Sequence, residues 1–210
     1  MIEVMNQGGP MMWVILGLSV VATMISMERV AVLYVLSFLN VSKLVDRVIA
    51  LVEAREYGQA LEACNLRTGH PLPRVLRAGL AKANRRDREI EKAMEAEMLR
   101  ALPGLQRGID FLGLLGNVAT LLGLLGTIFG LIQAFSAVSA ASAADRQTAL
   151  ASGISIAMYT TAFGIIAAVP ILFAHTVLSA RMDKLLIQLE EGATALMGVL
   201  SNRDRRSDAA

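Results

Sequence analysis

One uncharged stretch, from Phe111 to Val138, limits the possible folds of this chain more than any other feature. It reads FLGLLGNVATLLGLLGTIFGLIQAFSAV and contains no Asp, Glu, Lys or Arg. A helix needs about 20 apolar residues to cross the hydrocarbon core of a bilayer, and this stretch is longer than that. We therefore predict a membrane-spanning helix, whose backbone polar groups are satisfied within the helix itself.

Small and hydroxyl-bearing residues recur along this helix at alternating steps of three and four, which places them on one face. They are Gly113, Gly116, Thr120, Gly123, Thr127, Gly130 and Ala134. In lipid, helices associate through close backbone approach at small residues and through hydrogen bonds. We call this face the seam and predict that it packs against protein, while the leucine-rich faces meet lipid or other protein.

Two further apolar runs are long enough to span a membrane. The first covers 11–27 and continues after Glu28 and Arg29, which we expect to form an ion pair at the membrane interface. Because the ten residues before it contain no Lys or Arg, it is predicted to be a retained anchor and not a signal peptide. The third run is GISIAMYTTAFGIIAAVPILFAHTVL, residues 153–178.

The segment 41–108 is charged, with thirteen Lys or Arg and nine Asp or Glu, and its apolar residues return at helical spacing. This pattern predicts a water-soluble helical domain. Its predicted elements are two short helices in 43–64 that are separated by Gly58, a turn at 84–89, and helices at 74–82 and 90–102. The acids of 87–97 alternate with bases, which favours surface ion pairs over a metal or acid–base site.

Two single residues of this domain have ordinary interpretations. Cys64 is the chain's one cysteine, so neither an intrachain disulfide nor a cysteine metal site is possible, and we predict a small buried hydrophobe. His70 lies in a Pro-rich loop, and we expect it to be exposed to solvent.

The overall balance of residues predicts an all-α, polytopic membrane protein. Mean hydropathy is +0.54 and 55% of residues are hydrophobic, while the formal net charge is only +2. Nucleic-acid binding is excluded, because basic residues alternate with acids and lack an aromatic-rich surface. No nucleophile, base and orienting group come together, so enzymatic activity has no support. We also predict no cofactor and no metal.

The distribution of basic residues predicts the topology. Thirteen lie between the first two spans and five follow the third, against one in the N-terminus and the 139–152 connection combined. The N-terminus is therefore predicted to be outside and the C-terminus cytoplasmic. The predicted segments are a first span at 1–40, a cytoplasmic helical domain at 41–108, a transmembrane hairpin at 109–178, and a cytoplasmic helix with a flexible polar tail at 179–210.

The third span carries the other side of the seam, a small-residue face made by Gly153, Ala157, Gly164 and Ala168, which adjoins Thr160 and Thr161. Counted from Asp145 in the turn, Thr127 and Thr161 lie at similar depths in the bilayer. Taken alone, these hydroxyls are explained by bonds to their own backbone carbonyls. Pro170 removes one backbone hydrogen bond and is predicted to kink this helix.

The second and third spans contain no Asp, Glu, Lys or Arg. A threonine does not hold a proton at physiological pH, so a proton carrier that works in this seam needs an acid from another chain. His175 is predicted not to be that acceptor, because it lies fourteen residues beyond Thr161, or about 21 Å along the helix.

Three stretches resemble the MotA/TolQ/ExbB proton channel family, and specifically its three-span TolQ/ExbB type. They are YGQALEAC with HPLPRVLRAGL in the charged domain, ATLLGLLGTIFGLIQAF in the second span and GISIAMYTTAFGIIAAVP in the third. The resemblance implies a homopentamer in the bacterial inner membrane, around an ExbD/TolR/MotB-like single-span partner with an intramembrane aspartate. It also implies that Thr127 and Thr161, with Thr160 beside them, line the proton pathway.

Two residues depart from the family pattern. Thr120 stands where proline is usual, and Ile156 stands where a glutamate is usual, which removes a candidate relay group. These departures argue against iron uptake or envelope maintenance as the energised process, and a motor for surface gliding fits equally well. A proton-driven motor subunit, a non-conducting membrane scaffold and a self-sufficient channel or transporter all remain open.

Overall fold

The structure is a computed structural model that describes residues 9–37, 41–65, 69–140 and 145–207. Parts of the predicted N-terminal segment, of the 139–152 connection and of the tail lie outside these residues. The described residues form helices and no strands, as predicted for an all-α protein. In chain order the helices are α1 (Pro10–Ser37), α2 (Val41–Glu53), α3 (Tyr57–Ala63), α4 (Leu72–Ala81), α5 (Asp87–Gln106), α6 (Ile109–Ala140) and α7 (Arg146–Ser207).

Three helical stretches are long and apolar enough to cross a membrane: Pro10–Leu33, Asp87–Ser139 and Arg146–Ser201. The second includes the charged helix α5, but its uncharged part begins after Asp110, so the predicted span is α6. Large apolar side chains on these helices are widely exposed, for example Leu121 at 63% and Phe173 at 71%. Such apolar surface is stable only against lipid or other protein, which confirms the prediction of a membrane protein with three spans.

Helix α7 is a single helix of 62 residues, about 93 Å long at the standard rise. The predicted third span and the predicted C-terminal helix are therefore one continuous element that is far longer than a bilayer is thick. Pro170 lies inside this helix, and the helix continues through it. The prediction of a flexible tail from Ser201 was wrong for its first seven residues, because the helix extends to Ser207.

The chain divides into two compact units, Met1–Arg29 with Gly108–Leu178, and Val30–Arg107 with Ser179–Ala210. In the first unit, the guanidinium of Arg29 lies over Gly108, whose φ of +91° suits glycine and directly precedes α6. A Cβ at Gly108 would lie 2.6 Å from Arg29 Nε. Arg29 also forms the predicted ion pair with Glu28, at 3.7 Å.

The second unit has an aliphatic core, in which α7 contributes one wall. Leu189 and Leu196 of α7 are fully buried with Leu72 and Leu76 of α4. Further along α7, the Ser201 hydroxyl donates to Asp87 Oδ2 at 2.7 Å, in the first turn of α5. Burial of these leucines is what orders the short helices, which are too short to be stable alone.

The helix boundaries in this unit differ in detail from those predicted. Two short helices do occupy 41–63, but the break lies at 54–56 and not at Gly58. The break is made by Arg55, which adopts a left-handed φ of 63°. Helix α5 begins at Asp87, inside the turn predicted for 84–89.

Cys64 is buried in this core, as predicted. Burial raises the pKa of its thiol to about 11, against a smaller opposing effect of Arg77. The thiol is therefore neutral at physiological pH and behaves as a small apolar side chain.

His70 was expected to be exposed, and this was wrong: only 2% of it is accessible. Its Nδ1 accepts a hydrogen bond from the Leu72 N–H at 3.1 Å, which satisfies a free donor in the first turn of α4. Its Nε2 is buried and has no hydrogen-bond partner among the described residues. Burial accordingly lowers the pKa of His70 below its ordinary value.

We predict that His70 makes the stability of this unit depend on pH. Because its pKa is lowered by folding, the folded state favours the neutral ring, so stability is full above the ordinary pKa of about 6.5 and falls as pH drops below it. Thermal unfolding of the full-length protein should show a lower midpoint at pH 5 than at pH 7. In His70→Asn, which keeps an acceptor for the Leu72 N–H and cannot titrate, that difference should shrink; an unchanged difference would contradict the assignment.

Candidate functional site

Helices α6 and α7 pack antiparallel through small residues. As residue numbers rise along α6, the numbers of the residues that they contact on α7 fall. The pairs are Gly113–His175, Gly116–Leu172, Gly123–Gly164, Gly126–Thr160, Gly130–Ala157 and Ala134–Gly153. The contact therefore follows the hairpin from near the start of α6 almost to its end. All six glycines that were predicted for the seam lie against the facing helix: Gly113, Gly116, Gly123, Gly130, Gly153 and Gly164.

At Gly123 and Gly164 the two helices meet backbone to backbone. A Cβ at Gly123 would lie 3.1 Å from Gly164 Cα, and a Cβ at Gly164 would lie 2.7 Å from Gly123 Cα. At Gly130 the nearest atoms include Ala157 Cα, at 2.9 Å. Because the obstructing atoms belong to backbone, no side-chain rotation relieves the clash that a larger residue would cause.

The two threonines of α6 take positions different from those expected. Thr120 is exposed, and its hydroxyl donates to Gly116 O of the same helix at 3.2 Å. Its expected place is taken by Ala119, whose carbonyl oxygen lies 3.0 Å from the Cβ position of Gly164. Thr127 is half-buried, and its hydroxyl donates to Leu124 O at 2.6 Å.

Sequence reasoning missed Gly126, which lies directly against Thr160. A Cβ at Gly126 would lie 2.5 Å from Thr160 Oγ1. The sequence does not distinguish Gly126 from Thr127 in this respect. One helical turn after Gly123 falls between positions 126 and 127, so a series of steps of three and four can select either. Only the facing helix decides which of the two lies in the contact.

The two threonines of α7 differ sharply in accessibility. Thr160 is 1% exposed, and its hydroxyl donates to Ala157 O of its own helix at 2.8 Å. Thr161 is half-buried and bonds across the hairpin, with Oγ1 donating to Gly123 O at 3.1 Å and lying 3.4 Å from Ala157 O. The cross-helix bond forms where Gly123 and Gly164 bring the two backbones together.

Thr127 and Thr161 lie at about the same level of the hairpin, because their neighbours Gly126 and Thr160 are in contact. Each hydroxyl proton is already donated to a backbone carbonyl. A hydroxyl oxygen still has lone pairs, so each can accept a hydrogen bond from an incoming donor such as a protonated carboxyl group. Neither can hold a proton itself.

His175 lies near the other end of the hairpin contact. Its Nε2 would be 2.9 Å from a Cβ at Gly113, so the absence of a side chain there makes room for the half-buried ring. It is fourteen residues from Thr161, or about 21 Å along the helix. The structure therefore does not bring the imidazole to the threonines.

Acidic and basic side chains are absent from the middle of the hairpin. The sequence has no Asp, Glu, Lys or Arg between Asp110 and Asp145 or between Arg146 and Arg181. Across the described ranges, no three His, Cys, Asp or Glu residues are close enough together to hold a metal ion. The chemistry available at this level is limited to hydroxyls and backbone carbonyls.

The sequence matches the MotA/TolQ/ExbB proton channel family over residues 67–191, which is more than half of the chain. The chain belongs to the MotA/TolQ/ExbB proton channel family. The match includes both helices of the hairpin contact and all four threonines described above. The resemblance found in the sequence motifs is thereby confirmed, and family membership is consistent with an energiser proton channel subunit.

One curated relative extends the similarity over nearly the whole chain. It is a biopolymer transport protein ExbB homolog of Methanothermobacter thermautotrophicus, 25% identical over 191 residues. The alignment covers 90% of this chain and 66% of that protein, so this chain spans about two thirds of its relative's length. Among members of this family, ExbB and TolQ proteins work with partners of the ExbD, TolR and MotB kind.

We predict that Gly123→Leu and Gly130→Leu each prevent assembly of the complex, because a leucine at either position drives the facing backbone away. Native mass spectrometry of the purified protein should show loss of the full assembly. Gly17→Leu is the matched control, since Gly17 is also in a membrane helix but has nothing within 4 Å of its Cβ position. A full assembly in the Gly123 and Gly130 variants would reject this packing.

Proposed function

We propose that this protein is a subunit of a proton-motive-force-driven motor or energiser. In this proposal it forms a homopentamer around an ExbD/TolR/MotB-like single-span partner whose intramembrane aspartate carries the proton. Inward proton flow is coupled to rotation or force on envelope or motility machinery, of which surface gliding and biopolymer transport are examples. The transported ion is the proton, and no cofactor is required.

The observation that carries the proposal is the combination of accessible hydroxyls with a complete lack of carboxylates at the same depth. Thr127 and Thr161 are half-buried and lie at one level of an acid-free hairpin. A pathway built only from these groups can guide a proton but cannot store one. An aspartate supplied by a partner helix completes it, because a protonated carboxyl group donates to the hydroxyl oxygens and an ionised one does not.

The three candidate pathway residues have different roles in this proposal. Thr127 and Thr161 present their oxygens to the partner. Thr160 is enclosed between the two helices against Gly126, so we assign it to the packing that holds Thr161 in place. The bond from Thr161 to Gly123 O fixes the orientation of the hydroxyl, and such a bond is worth about 0.6 kcal/mol in membrane proteins.

The apolar surface of the hairpin supports an oligomer. Leu124, Ile128 and Phe135 of α6 are more than half exposed in the single chain, and so are Met158 and Ile166 of α7. In a ring, part of this surface faces neighbouring copies and the partner, and the rest faces lipid. The ring we propose is a pentamer in the inner membrane, with N-termini on the periplasmic side and the charged helical unit and C-termini in the cytoplasm, in accord with the basic residues.

A non-conducting scaffold is a second candidate function, and two observations favour it. Ile156 stands in place of the glutamate that is usual in this part of the family, and every threonine hydroxyl of the hairpin contact donates to a backbone carbonyl. A scaffold needs the hydroxyls for packing alone. A self-sufficient channel has no such support, since it would need a carboxylate of its own at the level of the threonines.

Substituting the threonines distinguishes a conducting subunit from a scaffold. Thr127→Val and Thr161→Val keep the shape of the side chain and remove the oxygen that accepts from the partner acid. We expect each to reduce proton-dependent output at least tenfold, equivalent to about 1.4 kcal/mol of lost pathway interaction, with assembly unchanged. Proton flux into liposomes that contain the complex with its partner is the measurement.

Two further threonines serve as controls for this experiment. Thr160→Val removes a buried hydroxyl, and Thr176→Val removes an exposed one on the same helix that donates to Leu172 O at 2.9 Å. Both should retain most of the flux. If all four variants assemble and keep the flux of the wild type, the hydroxyls only pack, and the scaffold is favoured.

We predict that His175 is not an essential proton carrier. His175→Gln keeps a side chain of similar length in the space beside Gly113 and cannot titrate, so proton flux should stay within about twofold of the wild type, which is less than 0.5 kcal/mol. His175→Trp should instead disturb the hairpin, because a larger ring meets the Gly113 backbone. A complete loss of flux in an assembled His175→Gln complex would place an obligatory step on the imidazole.

A further inference from the structure

A groove of about 560 Å³ lies within the second unit, outside the hairpin contact. Its walls come from the end of the first apolar helix, from the start of α4 and from the last three turns of α5. Most of the lining is apolar, including Val32, Ala101 and Leu105. A groove of this size is large enough to enclose part of an organic molecule.

The groove is lined by the parts of the chain that adjoin membrane spans. Val32 belongs to the last turn of the candidate span Pro10–Leu33. Gly104 and Leu105 come just before α6, which begins at Ile109. Both ends of the surrounding chain therefore enter the bilayer within a few residues, on the side that the basic residues assign to the cytoplasm.

Three charged residues line the groove: Arg74, Glu97 and Arg100. Arg100 lies beside Glu97, with Nη1 2.5 Å from Oε1, so its charge is largely compensated. Arg74 also lines the groove, and none of the carboxylates in the described part of the chain forms an ion pair with it. The groove thus offers one guanidinium without an ion pair and a mostly apolar lining, of which we call Ala101 and Leu105 the floor.

We propose that this groove binds an anionic membrane phospholipid, with the phosphate at Arg74 and part of an acyl chain or the glycerol backbone against Ala101 and Leu105. A guanidinium binds phosphate in a bidentate manner, and basic pockets beside membrane helices on the cytoplasmic side are suited to anionic headgroups. The proposal rests on the orientation in the proposed function, but not on proton conduction.

A lipid fits these observations better than a soluble anion or a protein segment. A free phosphate would use the guanidinium but would leave the apolar floor in contact with water. A second copy of this chain would cover the floor, but nothing in the groove indicates that it would also bring an anion to Arg74. An anionic phospholipid joins an apolar chain to an anion. The chain matches the apolar walls of the groove, and the anion matches the guanidinium of Arg74.

The test is native mass spectrometry of the full-length complex after incubation with phosphatidylglycerol or with phosphatidylcholine. The wild type should retain phosphatidylglycerol in preference to phosphatidylcholine. Arg74→Gln should weaken that retention about fivefold, the factor that corresponds to about 1 kcal/mol per basic residue at a membrane surface. Arg77→Gln is the matched control, because Arg77 is exposed on the same helix and does not line the groove.

A second variant tests the apolar part of the groove. Ala101→Trp fills the floor without changing charge, so it should lower retention of phosphatidylglycerol while the assembly keeps its mass. Equal retention in Arg74→Gln and Arg77→Gln would overturn the proposal, as would equal retention of the two lipids by the wild type. A change of oligomer mass in Ala101→Trp with lipid retention intact would assign the groove to a second copy and overturn it too. Because no proton flow is measured, these failures are distinct from failure of the proposed function.

Discussion

The contact between the backbones of Gly123 and Gly164 is the constraint on which the hairpin depends. At this point neither helix has a side chain to keep the other away, and the carbonyl of Gly123 comes within reach of Thr161. In lipid the apolar side chains gain nothing by leaving one apolar medium for another, so close approach and the hydrogen bonds that it permits must hold the helices together. The same contact thus determines both the packing and the direction of the hydroxyl.

This arrangement explains how an apolar hairpin can contribute to proton transfer without a carboxylate of its own. The hairpin fixes two hydroxyl oxygens at one level and leaves the proton-binding group to another chain. A carboxylate in this environment would be costly unless paired, and placing it on a separate helix lets its surroundings change as that helix moves. The division of labour is a proposal for this chain, supported by its family and by the absence of acids from both spans.

Much of the fold was predictable because uncharged length and helical periodicity depend on local sequence. The three spans and the six seam glycines follow from these two signals. Thr120 was placed wrongly and Gly126 was left out, because steps of three and of four from one position both stay close to the same helix face, and only the facing helix decides between them. His70 was misplaced because a Pro-rich loop predicts exposure, whereas the ring is buried by the helices packed around it and accepts from the Leu72 N–H. The continuity of α7 beyond the predicted third span was missed, because the change from an apolar to an amphipathic pattern at Arg181 shows where a helix leaves the membrane and not where it ends.

The central claim is that this chain supplies half of a proton pathway, and reconstitution tests it most directly. Proton uptake into liposomes under an imposed potential should be compared for this protein alone and for its complex with a single-span partner that carries an intramembrane aspartate. The account predicts no uptake above that of empty liposomes for the protein alone, and clear uptake for the complex that is lost when the partner aspartate is replaced by asparagine. Rapid uptake by the protein alone, or uptake that survives the loss of the aspartate, would contradict it.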